Sequence, residues 1–181
     1  MASIHPTAVV DPHSEIAAGV SITENTIDNT VKAHVDDGRV TALGGKLEVL
    51  ADAEQTITSH AVAVAATASL GAAGAGADST AVITGTVEAY ANGATLAGSD
   101  GITVGAESTL TTDARADGGA GGAIGVSTMF PRAEIGGSTR AYVTGDLTVS
   151  DGDLAAEATS TNTATANTVS AAVGLSGGAG I

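Results

Sequence analysis

The sequence predicts an all-β chain, a parallel β-solenoid of stacked short strands. Three observations predict it. First, apolar and polar residues alternate with a period of two in "VKAHV" (31–35), "KLEVLADA" (46–53), "VAVAATA" (62–68), "AVITGTVEAYA" (81–91), "GITVGAE" (101–107) and "RAYVTGDLTVSD" (140–151), the signature of strands. Second, the chain repeats itself: "NTVKAHV" (29–35), "GTVEAYA" (85–91) and "GSTRAYV" (137–143) share one pattern of small, hydroxyl, β-branched, charged, Ala, ring and aliphatic positions. Third, the apolar residues are small. There are one Phe, two Tyr, no Trp and 25 Gly, and such a chain fills space only where backbones approach closely.

The elements follow in order. Residues 1–22 carry Ile4, Val10, Ile16 and Ile22 six residues apart, a beat that stops at Asp28 and His34, so they read as a separate N-terminal cap coil. Three modules of about fifty residues follow, approximately 23–78, 79–127 and 128–181. In each, the ring motif precedes a second strand motif, "GGKLEVLADAEQ" from Gly44, "SDGITVGAEST" from Ser99 or "SDGDLAAEATS" from Ser150. A Thr/Ser/Ala stretch and a Gly/Ala tract complete the module, with tracts beginning at Leu70, Gly118 and Val173. Asp36-Asp37-Gly38, Asn92-Gly93, Asp100-Gly101 and Asp151-Gly152 mark corners, where glycine supplies a positive φ. Head-to-tail repetition favours parallel stacking of like on like over hairpins. At about 20 residues per coil, about nine coils stacked at ~4.8 Å would form a rod on the order of 40 to 45 Å long. The Gly/Ala tracts are expected on a face where coils or sheets pack at close range.

Net charge is −14, from 20 acids against 6 bases, which excludes the clustered cations of a nucleic-acid surface. The scattered acids read as solubility and mutual repulsion along an extended surface. No cysteine is present, so disulfides and thiolate metal sites are excluded. The N-terminus lacks the pattern of a secretory signal. The longest apolar run, Ala61 to Ala77, is too rich in Ala and Gly for membrane insertion.

No cofactor or metal is expected. Tandem calcium repeats need stacked Gly-Gly-x-Gly-x-Asp nonapeptides, and "GAGADSTAV" (74–82) approaches that pattern once; the Asp-Gly corners read as turn chemistry before opportunistic calcium. No catalytic constellation is found: a Gly-x-Ser-x-Gly elbow is absent, and His5 and His13 fall within the cap stretch. His34, Tyr90 and Tyr142 occupy one repeat position, 56 and 52 residues apart, and are expected to form a stacking ladder that joins neighbouring modules. "TMFPRAEIGG" (128–137) departs from the repeat and holds the sole Phe and an internal Pro, so it is expected to protrude as a loop. Phe130 and Arg132 are the candidate ligand contacts there.

Two resemblances add to this reading. "IHPTAVVDPHSEIAAGVSI" (4–22) resembles the N-terminal coil of the hexapeptide acyltransferases, most closely the UDP-N-acetylglucosamine acyltransferases, whose fold is a left-handed parallel β-helix. The likeness stops at Ile22 and carries no catalytic histidine with it, so it implies a left-handed cap and no acyl transfer; beyond the cap the handedness is open. Residues 19–181 resemble the repeat modules of very large bacterial surface proteins, the filamentous adhesin and leukotoxin-like class, through "VSITENTIDNTVKAHVDDGRVTALGGKLEVLADA", "TVEAYANGATLAGSDGITVGAES" and "STRAYVTGDLTVSDGD". That resemblance implies a non-catalytic extracellular rod at the cell surface, with neighbouring modules of the same giant chain as its partners. A host or partner-cell surface would be contacted, if at all, through the 128–137 segment. Together the two imply an engineered, capped fragment whose uncapped C-terminal edge invites end-to-end self-association.

Overall fold

The computed structural model describes residues 19–67, 71–174 and 178–180. The cap coil expected over residues 1–22 therefore lies outside the described residues, save for its last few positions. The described residues form eight strands: β1 (Val20–Asp36), β2 (Arg39–Ala42), β3 (Leu47–Ala66), β4 (Ala72–Gly98), β5 (Ile102–Gly122), β6 (Ile124–Val149), β7 (Leu154–Gly174) and β8 (Gly178–Gly180). All pairings are parallel. One sheet runs β1-β4-β6-β8 with β2 also on β4, and the other runs β3-β5-β7. The chain is a parallel β-solenoid in which every coil contributes one long strand to each of two facing sheets.

The repeat of about fifty residues is the coil itself. Val20 stands against Gly76 and Ala72 against Ile124 in one sheet. Leu47 stands against Ile102, and Ile102 against Leu154, in the other. The described residues thus form three coils and the first three residues of a fourth, where β8 pairs with Gly125–Ser127. This corrects the expectation of nine coils of 20 residues with short strands. The five longest strands span 20 to 27 residues, roughly 65 to 90 Å at ~3.3 Å per residue, while three layers stand on the order of 15 Å tall. The physical reason lies in the inner rows. Thr/Ser stretches and Gly/Ala tracts keep the alternation going, because each small inward residue meets the facing sheet and pairs with its equivalent in the next coil. Glycine-bearing corners at Gly38, at Gly44 and Gly45, at Gly101 and at Gly152 separate strands among the described residues.

Those corners stack like the strands. Gly101 and Gly152 take φ of 126° and 88°, and Ile102 donates its N–H to the Asp153 carbonyl at 2.9 Å. At the Asp36-Asp37-Gly38 corner the positive φ falls on Asp37, at 49°, rather than on the glycine. The two residues between Ala91 and Ala94 shift the register there, and Thr95 N–H reaches across to the Gly38 carbonyl at 2.8 Å.

Between the sheets the core is graded. Leu96 and Ile102 fill the end near the corner at residues 99–101, and Ile57, Ile83 and Leu110 fill the middle. The far end is lined by Ala61, Ala63, Ala73, Ala75, Ala77, Ala116 and Ala120, with Met129 the one large side chain among them. The sheets close together there, as the Gly/Ala tracts suggest. A Cβ on Gly118 would overlap the carbonyl oxygen of Ala63, its ladder neighbour in the same sheet, and come within 2.7 Å of the Met129 methyl of the facing sheet, whereas one on Gly121 would meet nothing within 4 Å. Three polar pairs also bridge the interior: Ser79 donates to Ser59 at 2.9 Å, Ser108 meets Thr139 at 2.8 Å and Ser127 meets Ser170 at 2.7 Å. Buried hydroxyls paired in this way avoid the cost of an unmet hydrogen bond.

Urea unfolding of Gly118→Ala should show a loss on the order of 1–3 kcal/mol, the usual range for overpacking a closed core. Gly121→Ala should cost nothing. Equal midpoints for the two variants would contradict the close fit of Gly118 against its ladder neighbour Ala63 and against Met129.

Candidate functional site

The outward row of the first sheet carries the residues that the repeat aligned. Lys32, Glu88 and Arg140 pair through the ladder, as do His34, Tyr90 and Tyr142 two positions further on. Because parallel stacking repeats every side chain one layer up, the rings lie face to face. His34 and Tyr90 have centroids 5.2 Å apart at 12°, and Tyr90 and Tyr142 lie 5.0 Å apart at 3°. The structure brings together all three residues singled out for the ladder. Stacked rings present edges to solvent and keep most of each face against a neighbour. The column is therefore a joint between coils, with the outer face of Tyr142 left open.

Beside it stands a column of charge. Glu88, whose side chain is only 12% exposed, receives Lys32 Nζ at 2.9 Å from the coil on one side and Arg140 at 3.9 Å from the other. The hydrogen bond from Lys32 holds the Glu88 carboxyl below its ordinary value, against the opposing push of desolvation. The same bond raises Lys32. Desolvation, followed by the charge of Asp36, raises Tyr90. His34 Nδ1 lies 3.1 Å from the Asp36 carboxylate, and Thr144 donates to Asn92 at 2.8 Å, so three polar columns run side by side.

A second cluster, on the outer row of the other sheet, was missed by the sequence reading. Asp117 is bonded by His60 Nε2 at 3.0 Å and by Arg115 Nε, and it accepts the Val169 N–H at 3.2 Å. Partial burial pushes its carboxyl up, but the bonds from Arg115 and His60 outweigh that and hold it low. The signal for this cluster existed in the sequence. His60 and Arg115 share a repeat position, 55 residues apart, and Asp117 lies two residues along the same face.

Phe130 and Arg132 are placed differently from expectation. Residues 128–137 are not a loop: they belong to β6 and pair one for one with Gly76–Gly85 of β4. Met129 points inward and is buried, while Phe130 points outward and is 60% exposed. Pro131 fits because β6, over residues 128–149, pairs only with β4 among the described residues, and an edge strand tolerates a missing N–H. Arg132 bonds to Glu134 two residues on. Phe130 and Tyr142 are separated along β6 by about 40 Å at ~3.3 Å per residue, so the two sets of candidates do not form one site.

Between the sheets lies one further feature, a cavity of about 280 Å³ beneath Gly85, Gly136 and Gly137. Gln55, Ser108, Ser160 and Asn162 line it, and no titratable side chain does. Gln55 Oε1 has no hydrogen-bond partner. Among the described residues no three His, Asp or Glu side chains are grouped to hold a metal ion, and no helix is long and apolar enough to cross a membrane. No family model, curated protein or solved structure matches the chain.

The charge columns give a signed pH dependence. Glu88 and Asp117, held low, add stability above the ordinary carboxylate range that is lost as pH falls through their depressed values. Lys32 and Tyr90, held high, add stability below their ordinary values that is lost as pH rises through the raised ones. The melting temperature of the wild type should therefore exceed that of Glu88→Gln at neutral pH. The difference should vanish in acid, where protonated Glu88 resembles Gln, and shrink again in strong alkali. A difference that is constant from acid to neutral pH would contradict the Lys32–Glu88–Arg140 column.

Proposed function

We propose that this chain is a non-catalytic structural segment of a very large bacterial surface protein of the filamentous adhesin or leukotoxin-like kind, forming a stiff extracellular shaft. The observation that carries this reading is the identity of repeat and coil. Each module closes one turn of backbone pairing, and its ring, charge and corner residues fall on those of the next. Such a stack depends only on nearest-neighbour layers and can be extended indefinitely by repeating one module.

A shaft built in this way would be stiff rather than long. A coil of about fifty residues adds only ~4.8 Å of length, so the design is poor at reach. It is good at stiffness, because the bending rigidity of a bar rises steeply with its width. It also presents two broad outer faces, on which the aromatic and charged columns act as joints between layers.

A second reading, adhesion to a glycan or protein, is favoured by one observation: Ile124, Val126 and Phe130 expose apolar surface along a single outward row of β6, with Arg132 next to it. Glycan and host-protein arrays separate the two. The structural reading expects no specific signal from the intact chain. A signal that disappears in the Phe130→Ser/Arg132→Ser double variant, with an unchanged circular dichroism spectrum, would replace it with the adhesive one.

A further inference from the structure

The chain has two tyrosines in 181 residues, and the fold sets them face to face. Tyr90 of β4 and Tyr142 of β6 are ladder partners, with ring centroids 5.0 Å apart and planes within 3° of parallel. His34 of β1 stacks on the other side of Tyr90, at 5.2 Å. Packing alone would be served by any ring, as the histidine shows. What a pair of phenols adds is one-electron chemistry.

Thiol, indole and phenol are the side chains that give up one electron most readily. The chain has no cysteine and no tryptophan, so an oxidising equivalent that reaches it settles on a tyrosine. Access does not depend on the outermost coil. Tyr90 carries a ring against each face and is still partly exposed, because the column lies in the outward row of its sheet. Ring edges, where the carbons ortho to the hydroxyl lie, are what such a column presents to solvent.

We propose that Tyr90 and Tyr142 form an oxidative crosslinking site, whose co-substrate is hydrogen peroxide delivered through a haem peroxidase. Each phenol gives one electron to the oxidant and one proton to water, leaving two neutral phenoxyl radicals. A carbon–carbon bond then forms between ring carbons ortho to the two oxygens. The hydrogen on each coupling carbon leaves it and a proton returns to each oxygen, which restores two phenols. The pair loses two hydrogens in all, and the O–O bond of one peroxide breaks to take up two electrons and two protons as two waters. The terminal torsion of a tyrosine is broad, so two outward rings can tilt until their ortho carbons meet while the ladder holds the backbones. Groups held in contact react at an effective concentration far above that of a second copy in dilute solution, which keeps the bond within one chain. The product ties the second coil to the third across 52 residues, in a chain with no cysteine to form a disulfide.

Treatment of the intact 181-residue chain, at micromolar concentration, with a haem peroxidase and one equivalent of hydrogen peroxide tests this. Dityrosine fluorescence should appear in a species that still runs as a single chain on a denaturing gel and is lighter by two hydrogens. Its peptide map should join the peptide holding Tyr90 to the one holding Tyr142. Tyr90→Phe and Tyr142→Phe should each lose that product. Unfolding in urea before oxidation should lower its yield several-fold, with free tyrosine in the same urea controlling for the oxidant. No joined peptides from the folded chain, joined peptides only in linked dimers, or a yield undiminished by urea would overturn the proposal. The map and the urea comparison are read on the wild type, so they decide even where a variant fails to fold.

Discussion

The whole structure depends on one constraint: residues one module apart must sit in register in a parallel ladder. Once Val20 lies on Gly76 and Leu47 on Ile102, everything else is repeated rather than chosen anew. Identical or related side chains then stand about 4.8 Å apart on the outer faces, which suits stacked rings and is unfavourable for like charges. The ring and charge columns of the first sheet respect this, although in the other sheet the exposed Asp52 and Glu107 are ladder partners. Ring falls on ring at 34, 90 and 142, whereas at 32, 88 and 140 the signs alternate so that one nearly buried carboxylate sits between two cations.

Register also explains the composition. Two long sheets packed face to face need inward residues whose sizes add up to the local gap. The side chains that fill the gap shrink from Leu96 and Ile102 at one end to an alanine-lined seam at the other, where Gly118 leaves room for the Met129 methyl of the facing sheet. Small residues are thus a consequence of close sheets, not a sign of a weak core. Serines in the inward rows act as cross-ties, and paired hydroxyls occupy positions where neither a large apolar group nor an empty space would fit.

Much of this was legible in the sequence, and the parts that were not had specific causes. The alternation gave all-β structure, the head-to-tail motifs gave parallel pairing, and the spacings of His34, Tyr90 and Tyr142 aligned those rings correctly. Coil size was misjudged because periodicity of two says nothing about where a strand ends, and the Thr-rich runs continue strands instead of turning. Residues 128–137 looked foreign because of Phe130 and Pro131. Yet Met129 and Phe130 keep the in-out alternation, and an edge strand can accommodate the proline. The Asp117 cluster was hidden because it forms between coils at a repeat position where His60 and Arg115 are not alike.

The central claim, one module to one coil, is open to a direct chemical test, since the chain has no cysteine of its own. Glu54 and Thr109 are ladder partners in adjacent coils, whereas Gly74, twenty residues from Glu54, belongs to the facing sheet. Parallel neighbours lie within the Cα separation of about 4.4–6.8 Å that a disulfide spans. Oxidation of the Glu54→Cys/Thr109→Cys variant should therefore give a quantitative intramolecular crosslink, and Glu54→Cys/Gly74→Cys should give none. The reverse pattern would contradict the account and restore a coil of about twenty residues.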